Sequence, residues 1–342
     1  MAKYGWAARF EDRGLDAVQA FVHRAFDWLP RVEPYTGIGT PNRVRILCRT
    51  LLSPAEHFRD DPSPGERGWR AYICLPADGE KVRIEIGDYE VIATTDRAGY
   101  IDKDLDLPEP LEPGWHPVHF TALRSGATAH GLVQVVNPDA KYGIVSDIDD
   151  TTMITRVPQL AVAAYNTFVE RTSDRKPVQG MAHLFSQVIA AYPDTPIIYL
   201  SNGAWNSART LRRFLRHWSF PDGPLLLTDF GPTDTGLFRS GKQHKRQQLA
   251  WLMEAFPEIG WILIGDDGQS DPLIYAEAAR KYPGRVAAIG IRSLSPIERV
   301  ARLAGSTAAS VGSDVAHDVP IIEGHDGDEM LEEFQAAGLL PG

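Results

Sequence analysis

Between residues 140 and 295 five short apolar runs, "YGIVSDI", "PIIYLSN", "PLLLTDF", "WILIGDD" and "VAAIGIR", alternate with the helical patterns "MAHLFSQVIAAY", "NSARTLRRFLRHW", "KRQQLAWLMEAF" and "PLIYAEAARKY". Runs that are apolar on both faces, each followed by a segment of helical period, bury themselves as a parallel sheet covered by helices. The spacing therefore predicts an α/β fold with a doubly wound parallel sheet over residues 140–304. In such sheets ligands bind beyond the carboxyl ends of the strands. Four of the runs end in polar residues, Asp147, Ser201, Asp229 and Asp266, and chemistry is expected there.

A chain of 342 residues is long for one core, so a second domain is expected. Residues 41–139 have a different texture. "RVRILCR" and "KVRIEIGDYEVIATTD" alternate apolar and polar residues, and "WHPVHFTAL" and "HGLVQVVNP" follow after Pro/Gly-rich loops. Period-two runs between turn signals predict an antiparallel β-sandwich-like domain ahead of the parallel sheet. Residues 1–40 read as an amphipathic helix over 13–29 and a linker: Leu15, Val18, Val22, Ala25 and Leu29 fall at helical spacing, and Pro30 ends the pattern. The tail, 305–342, is poor in apolar residues until "MLEEFQAAGLL" and is expected to be mobile or to dock.

Hydrophobic content of 43% describes a globular chain. No run approaches the roughly 18 apolar residues of a membrane-spanning helix, and the start lacks a secretory apolar region. Two cysteines, Cys48 and Cys74, are too few for a disulfide framework or a zinc site, and both fall in strand-like runs. These features predict a cytoplasmic protein. A net charge of −10 argues against a nucleic-acid partner and gives no general attraction to anionic membranes.

The chemistry gathers at the strand ends. In "VSDIDDTT" Asp147 and Asp149 are two residues apart, so in extended backbone both point to one side. Carboxylates held that way raise each other's pKa unless a cation joins them. "IGDDGQSD" places Asp266, Asp267 and Asp271 at another strand end. Either cluster alone also fits a capped turn. Together on one sheet they fit a hard, oxygen-ligated cation such as Mg²⁺, and with it a phosphate substrate. Ser201 begins "SNGAWN", where a hydroxyl serves either to cap a helix or to hold phosphate oxygens. Lys245 lies on the stripe of Leu249, Leu252 and Phe256, so it faces inward, whereas Lys242 sits in the loop before and is the weaker candidate.

D-x-D-x-T, then Ser at a strand end, then Lys, then G-D-D-x-x-x-D is the motif series of the haloacid dehalogenase superfamily, which residues 140–300 resemble. "SDIDDTTMIT", "FVERTSDRKPVQGMAHLF", "YLSNGAWN" and "LIGDDGQSDPLIY" are similar to the actin-patch-protein type of phosphatidate phosphatase, a relative of the lipins. In one departure, Asp267 stands where that family usually has serine. The resemblance implies a Mg²⁺-dependent phosphatase forming an aspartyl-phosphate. Asp147 would be the nucleophile and Asp149 the acid and base. Metal ligands would be Asp147, the Asp149 carbonyl, Asp266 and Asp271, the last of which would otherwise position Lys245. Ser201 and Lys245 would bind the phosphoryl oxygens. Asn202, Thr151 and Arg175 are candidate substrate contacts, with Thr151 and Asp150 also shaping the turn. The insertion 153–180, carrying Arg171 and Arg175, is a candidate cap.

The substrate implied is phosphatidate at a membrane surface. A soluble phosphomonoester on the same scaffold is the alternative, as is a module that binds phosphatidate without cleaving it. The helix 13–29 would serve either as a membrane contact or as packing on the sandwich.

Overall fold

The computed structural model describes residues 28–53, 75–154, 175–228, 241–268, 270–295 and 319–341. The chain forms two compact units that part between Val135 and Val136.

The first unit is one nine-stranded sheet. Its strands are β1 (Leu29–Pro34), β2 (Gly37–Thr40), β3 (Arg43–Ser53), β4 (Leu75–Pro76), β5 (Lys81–Ile86), β6 (Tyr89–Thr94), β7 (Tyr100–Asp106), β8 (Gly114–Ala122) and β9 (Thr128–Val135). They follow the path β1-β3-β2-β9-β8-β5-β6, with β4 and β7 also paired to β3. Every pairing is antiparallel except β2 with β9. Alternation decides which side is buried: Val82, Ile84 and Ile86 of β5 are buried, while Lys81, Arg83 and Glu85 are not. Gly87, at φ 57°, allows the two-residue hairpin between β5 and β6. Ile101 and Leu105 of β7 share a core with Ile84 and Phe120 of strands they do not pair with. The sheet therefore folds over its own apolar face, and this one folded sheet stands where an antiparallel, sandwich-like domain was expected.

Residues 29–40 are also not a linker. The helix expected over 13–29 lies almost wholly outside the described residues, but Leu29 and Pro30 are extended and pair with Ser53 and Leu52. Pro30 is tolerated because β1 is an edge of the sheet path, where a missing N–H breaks no ladder bond.

The second unit holds a six-stranded, all-parallel sheet. Its strands are β10 (Tyr142–Ser146), β11 (Ile197–Ala204), β12 (Leu225–Thr228), β13 (Gly260–Asp266), β14 (Val286–Arg292) and β15 (Ile321–Gly324). The described helices are α1 (Met181–Ala191), α2 (Ala208–His217), α3 (Gly241–Ala255), α4 (Asp271–Lys281) and α5 (Gly327–Ala336). Strand order is β12-β11-β10-β13-β14-β15. From β10 the chain steps outward through β11 and β12, then returns to β13 on the other side of β10. That reversal opens a crevice at the carboxyl ends of β10 and β13. Strands such as β12 and β13 are buried almost throughout, so their apolar runs have no polar alternation.

The last described stretch of the chain docks, one of the two roles expected of the tail. From residue 319 it supplies β15, in register with β14 from Ile289↔Ile321 to Arg292↔Gly324, and α5, whose Met330 and Phe334 are fully buried. Four residues with alternate burial carry too little apolar signal to be read as a strand until β14 is beside them. Among the described residues no helix is long and apolar enough to cross a membrane.

Candidate functional site

The site begins where β10 stops. Asp147 N–H still donates to Ile264 O of β13 (2.9 Å), so the first aspartate is an extension of the sheet. The chain then coils: the N–H groups of Thr151, Thr152 and Met153 all donate to Ile148 O, and Thr152 Oγ1 donates there too. The coil requires Asp150 to take φ 57°, a conformation Asp adopts more readily than most residues. Arg292, buried at the end of β14, donates from Nη1 to Asp150 O (2.8 Å) and from Nε to His325 O (2.9 Å).

Three carboxylates and one ammonium meet in this crevice. Lys245 Nζ lies 2.7 Å from Asp147 Oδ1 and 2.6 Å from Asp271 Oδ1, with all three side chains at most 3% exposed. One carboxylate oxygen each from Asp147, Asp266 and Asp271 fall within 4.8 Å of one another. Asp271 opens α4, where the helix dipole favours an anion. Gly265 gives it room: a Cβ there would stand 2.6 Å from Asp271 Oδ2. Asp266 Oδ1 accepts from Gly268 N–H (2.7 Å).

Electrostatics follow from the count of one ammonium against three acids. Burial pushes the Asp147 carboxyl well above the usual carboxylate range; Lys245 opposes this, and Asp271, Asp266 and Asp149 reinforce it. Burial alone would lower Lys245, but Asp147 and Asp271 outweigh it and hold the ammonium above its ordinary value. Tyr275 is raised by burial and then by Asp271, and its hydroxyl donates to Ile264 O (3.1 Å).

The cluster fits a hard divalent cation. Its donors are all carboxylate oxygens, and the buried Oδ2 atoms of Asp147 and Asp271 have no hydrogen-bond partner among the described residues. Oxygen donors that close together, undersupplied with positive charge, are what Mg²⁺ or a similar ion requires.

Asp149 does not share this cluster through its side chain. Its Oδ2 accepts from Ser201 Oγ (3.2 Å), and Ser201 Oγ in turn accepts from Gly203 N–H (2.9 Å). Ser201 does not cap a helix: β11 continues to Ala204 with a register shift after Leu200, a 3₁₀ turn spans Trp205–Ser207, and α2 begins at Ala208. Lys245 is buried and Lys242 exposed, both within α3 and neither in a preceding loop. Asp267 lies outside the triad; its Oδ1 accepts from Leu294 N–H (3.0 Å).

Three expected substrate contacts make no bond to the aspartates. Thr151 is fully buried with its hydroxyl oxygen unpartnered among the described residues, Asn202 packs against Gly241, and Arg175 Nη1 reaches Met153 Sδ (3.6 Å). Arg171, Asp229 and most of the insertion lie outside the described residues. Arg292 and Tyr275 were not singled out from sequence. The signal for Arg292 was there, since a charge closing the apolar run "VAAIGIR" needs an interior partner.

A family model described as "Phosphatidate phosphatase APP1, catalytic domain" matches residues 142–293. Phosphatidate phosphatase APP1 of Saccharomyces cerevisiae is 25% identical over 193 residues, 56% of this chain and 31% of that protein. An uncharacterised protein of Schizosaccharomyces pombe is 27% identical over 152 residues, 44% of this chain and 25% of that one. The chain thus matches about a third or less of the length of these curated relatives. Among solved structures, a carbohydrate acetylesterase from Xanthomonas citri aligns at 9% identity and a TM-score of 0.29, covering 78% of this chain and 68% of that one. A likeness that low carries no argument.

Proposed function

From the match of residues 142–293 to the phosphatidate phosphatase APP1 catalytic-domain model, we propose that the chain is a Mg²⁺-dependent phosphatase of the haloacid dehalogenase type. It hydrolyses phosphatidate to diacylglycerol and phosphate at a membrane surface. The observation that carries this reading is the buried Asp147–Lys245–Asp271 cluster with Asp266 beside it, at the carboxyl ends of β10 and β13. The strand order, reversing at β10, fits a doubly wound sheet of that type.

In this mechanism Asp147 attacks phosphorus through Oδ2, because Lys245 engages Oδ1 and so fixes which oxygen faces the crevice. The phosphorus–alkoxide bond breaks as the bond to Asp147 forms. Asp149 gives its proton to the departing diacylglycerol oxygen, then takes one from the water that attacks the aspartyl-phosphate. That second displacement releases phosphate and restores the Asp147 carboxylate. Ser201, already bonded to Asp149, orients the acid and turns its hydroxyl to a phosphoryl oxygen. Lys245 offsets charge on the phosphoryl group, and Asp271 holds Lys245 in place. Asn202, Thr151 and Arg175 are the further substrate contacts. Mg²⁺, held by Asp147, Asp266, Asp271 and the Asp149 carbonyl, would supply the positive charge that lets a phosphate approach four aspartates.

The test is Mg²⁺-dependent release of inorganic phosphate from phosphatidate in detergent micelles, beside a panel of soluble phosphomonoesters. Phosphatidate should be the best substrate, and Asp147→Asn should abolish turnover. Faster turnover of a soluble ester overturns the lipid assignment, and an active Asp147→Asn overturns the mechanism. Liposome binding with no phosphate release from anything would make the chain a binding module.

A further inference from the structure

Four ligand-type side chains stand in one row across the outer face of the nine-stranded sheet. Glu90 of β6 is directly opposite Glu85 of β5, Glu85 opposite His119 of β8, and His119 opposite His130 of β9. Their strand neighbours Ile84, Ile86, Val118 and Phe120 fill the core, so strand alternation turns the row outward. Both histidines are exposed. Their Nδ1 atoms approach to 2.8 Å, and the rings stand at 90° with centroids 4.7 Å apart.

The row is unevenly satisfied. Glu90 pairs with Arg83 Nε at 3.3 Å. Glu85 has neither a hydrogen bond nor an ion pair among the described residues, and it faces a like charge on one side. Among the described residues the two imidazoles bond only to each other. Thr121 and Thr128 flank the pair on one side, Pro117 and Leu132 on the other.

We propose that His119 and His130, with Glu85 behind His119, form a surface site for a borderline divalent cation, Zn²⁺ being the probe of choice. Two imidazole nitrogens make a donor pair suited to Zn²⁺ rather than to Mg²⁺. The geometry is close to what the ion needs. With Zn–N bonds of about 2.0–2.1 Å, two ligands at a tetrahedral centre lie roughly 3.3 Å apart. The rings therefore open by only about half an ångström, which exposed side chains do by rotation. Glu85 stands beside His119 on the side away from His130, and its carboxylate does not form a three-ligand group with the two imidazoles, so it supports His119 from behind and does not ligate the ion. In the metal-free pair one Nδ1 carries a proton and donates it to the other. On binding, the donor ring moves that proton to its Nε2, which leaves both Nδ1 lone pairs for the ion and releases no net proton. Water completes the coordination. The ion would tie β8 and β9 together independently of any phosphatase chemistry.

The test uses the full chain with excess Mg²⁺, so that the acidic crevice is supplied with the ion it is proposed to hold. Zn²⁺ is titrated calorimetrically, and the histidine ring nitrogens are followed by NMR. The wild type should take up one more equivalent of Zn²⁺ than His119→Ala or His130→Ala. Both Nδ1 resonances should move, and Zn²⁺ should raise the melting temperature only when both histidines are present. Glu85→Gln should weaken binding about 10-fold or more, as loss of a supporting carboxylate does at metal sites. Asp147→Asn should keep the extra equivalent, which separates it from ion bound in the crevice. Equal uptake by the wild type and both histidine variants, or unmoved Nδ1 resonances, overturns the site. Unchanged affinity in Glu85→Gln removes that residue from it.

Discussion

Replacing Lys245 with Met should expose how the crevice is held together. Lys245 is 1% exposed and lies 2.7 Å from Asp147 and 2.6 Å from Asp271. Methionine fills much of the same volume, so the change isolates the charge. Removing one partner of a buried ion pair costs about 3–5 kcal/mol, because the other is left uncompensated. In a unit of this size that lowers the melting temperature by about 6–20 °C. The loss must depend on pH, and its sign follows from Asp147. Its carboxyl is held above the ordinary range by burial and neighbouring aspartates even with Lys245 present. In the unfolded chain an aspartate titrates near 3.9. From about pH 4 up to the folded value, the fold binds more protons than the unfolded chain, so stability falls as pH rises. Without the ammonium that interval extends upward. Lys245→Met should therefore be most destabilised near pH 8, recovering by up to about 1.4 kcal/mol per pH unit for each carboxyl that takes up a proton. Thermal melts in EDTA across pH 5–8, repeated with Mg²⁺, measure this. Mg²⁺ should restore part of the loss, and adding Asp147→Asn should recover stability by removing the stranded charge. A variant that melts within about 2 °C of wild type at pH 8, indifferent to pH and Mg²⁺, would refute the reasoning.

Three further outcomes are expected. Gly265→Ala places a Cβ 2.6 Å from Asp271 Oδ2 and 2.9 Å from Tyr275 Cε2, so urea unfolding should show a loss of about 1–3 kcal/mol, with phosphatase activity falling as Asp271 shifts from Lys245. Arg292→Met removes the bonds to the carbonyls of Asp150 and His325; two bonds from a charged donor predict a loss of about 3 kcal/mol or more in the same experiment. Burial pushes the Cys48 thiol far up, against a smaller opposing effect of the Ile101 backbone, so its reactive thiolate is scarce in the native state. In a Cys74→Ser background, iodoacetamide at pH 8 should therefore label Cys48 only as fast as the sheet opens, and urea should release the reaction.

Much of the crevice was legible in the chain because its residues sit where strands must end. Asp147 and Asp266 close apolar runs, and Lys245 interrupts an inward stripe of α3, so each violates local patterning in a way that needs a polar destination. Ser201 misled in part. "SNGAWN" has the composition of a turn, yet pairing to Thr228 carries the strand on to Ala204 before any helix starts. Arg292 escaped because its partners, the carbonyls of Asp150 and His325, are 142 and 33 residues away. In the first unit the alternating runs were plain. That they belong to one sheet closed over its own face depends on pairings such as β2 with β9, which no local pattern encodes.

By itself the sequence determined the periods: which segments alternate, which are apolar throughout, and which polar residues terminate them. These follow from side-chain spacing along a strand or helix, which is local geometry. Only the tertiary structure decided that Lys245 bridges Asp147 and Asp271, that Asp149 turns instead to Ser201, and that the last described residues complete the parallel sheet. Those choices depend on which strands become neighbours. Neighbours far apart in the chain are selected by burial and hydrogen bonding over the whole sheet, which no short stretch contains.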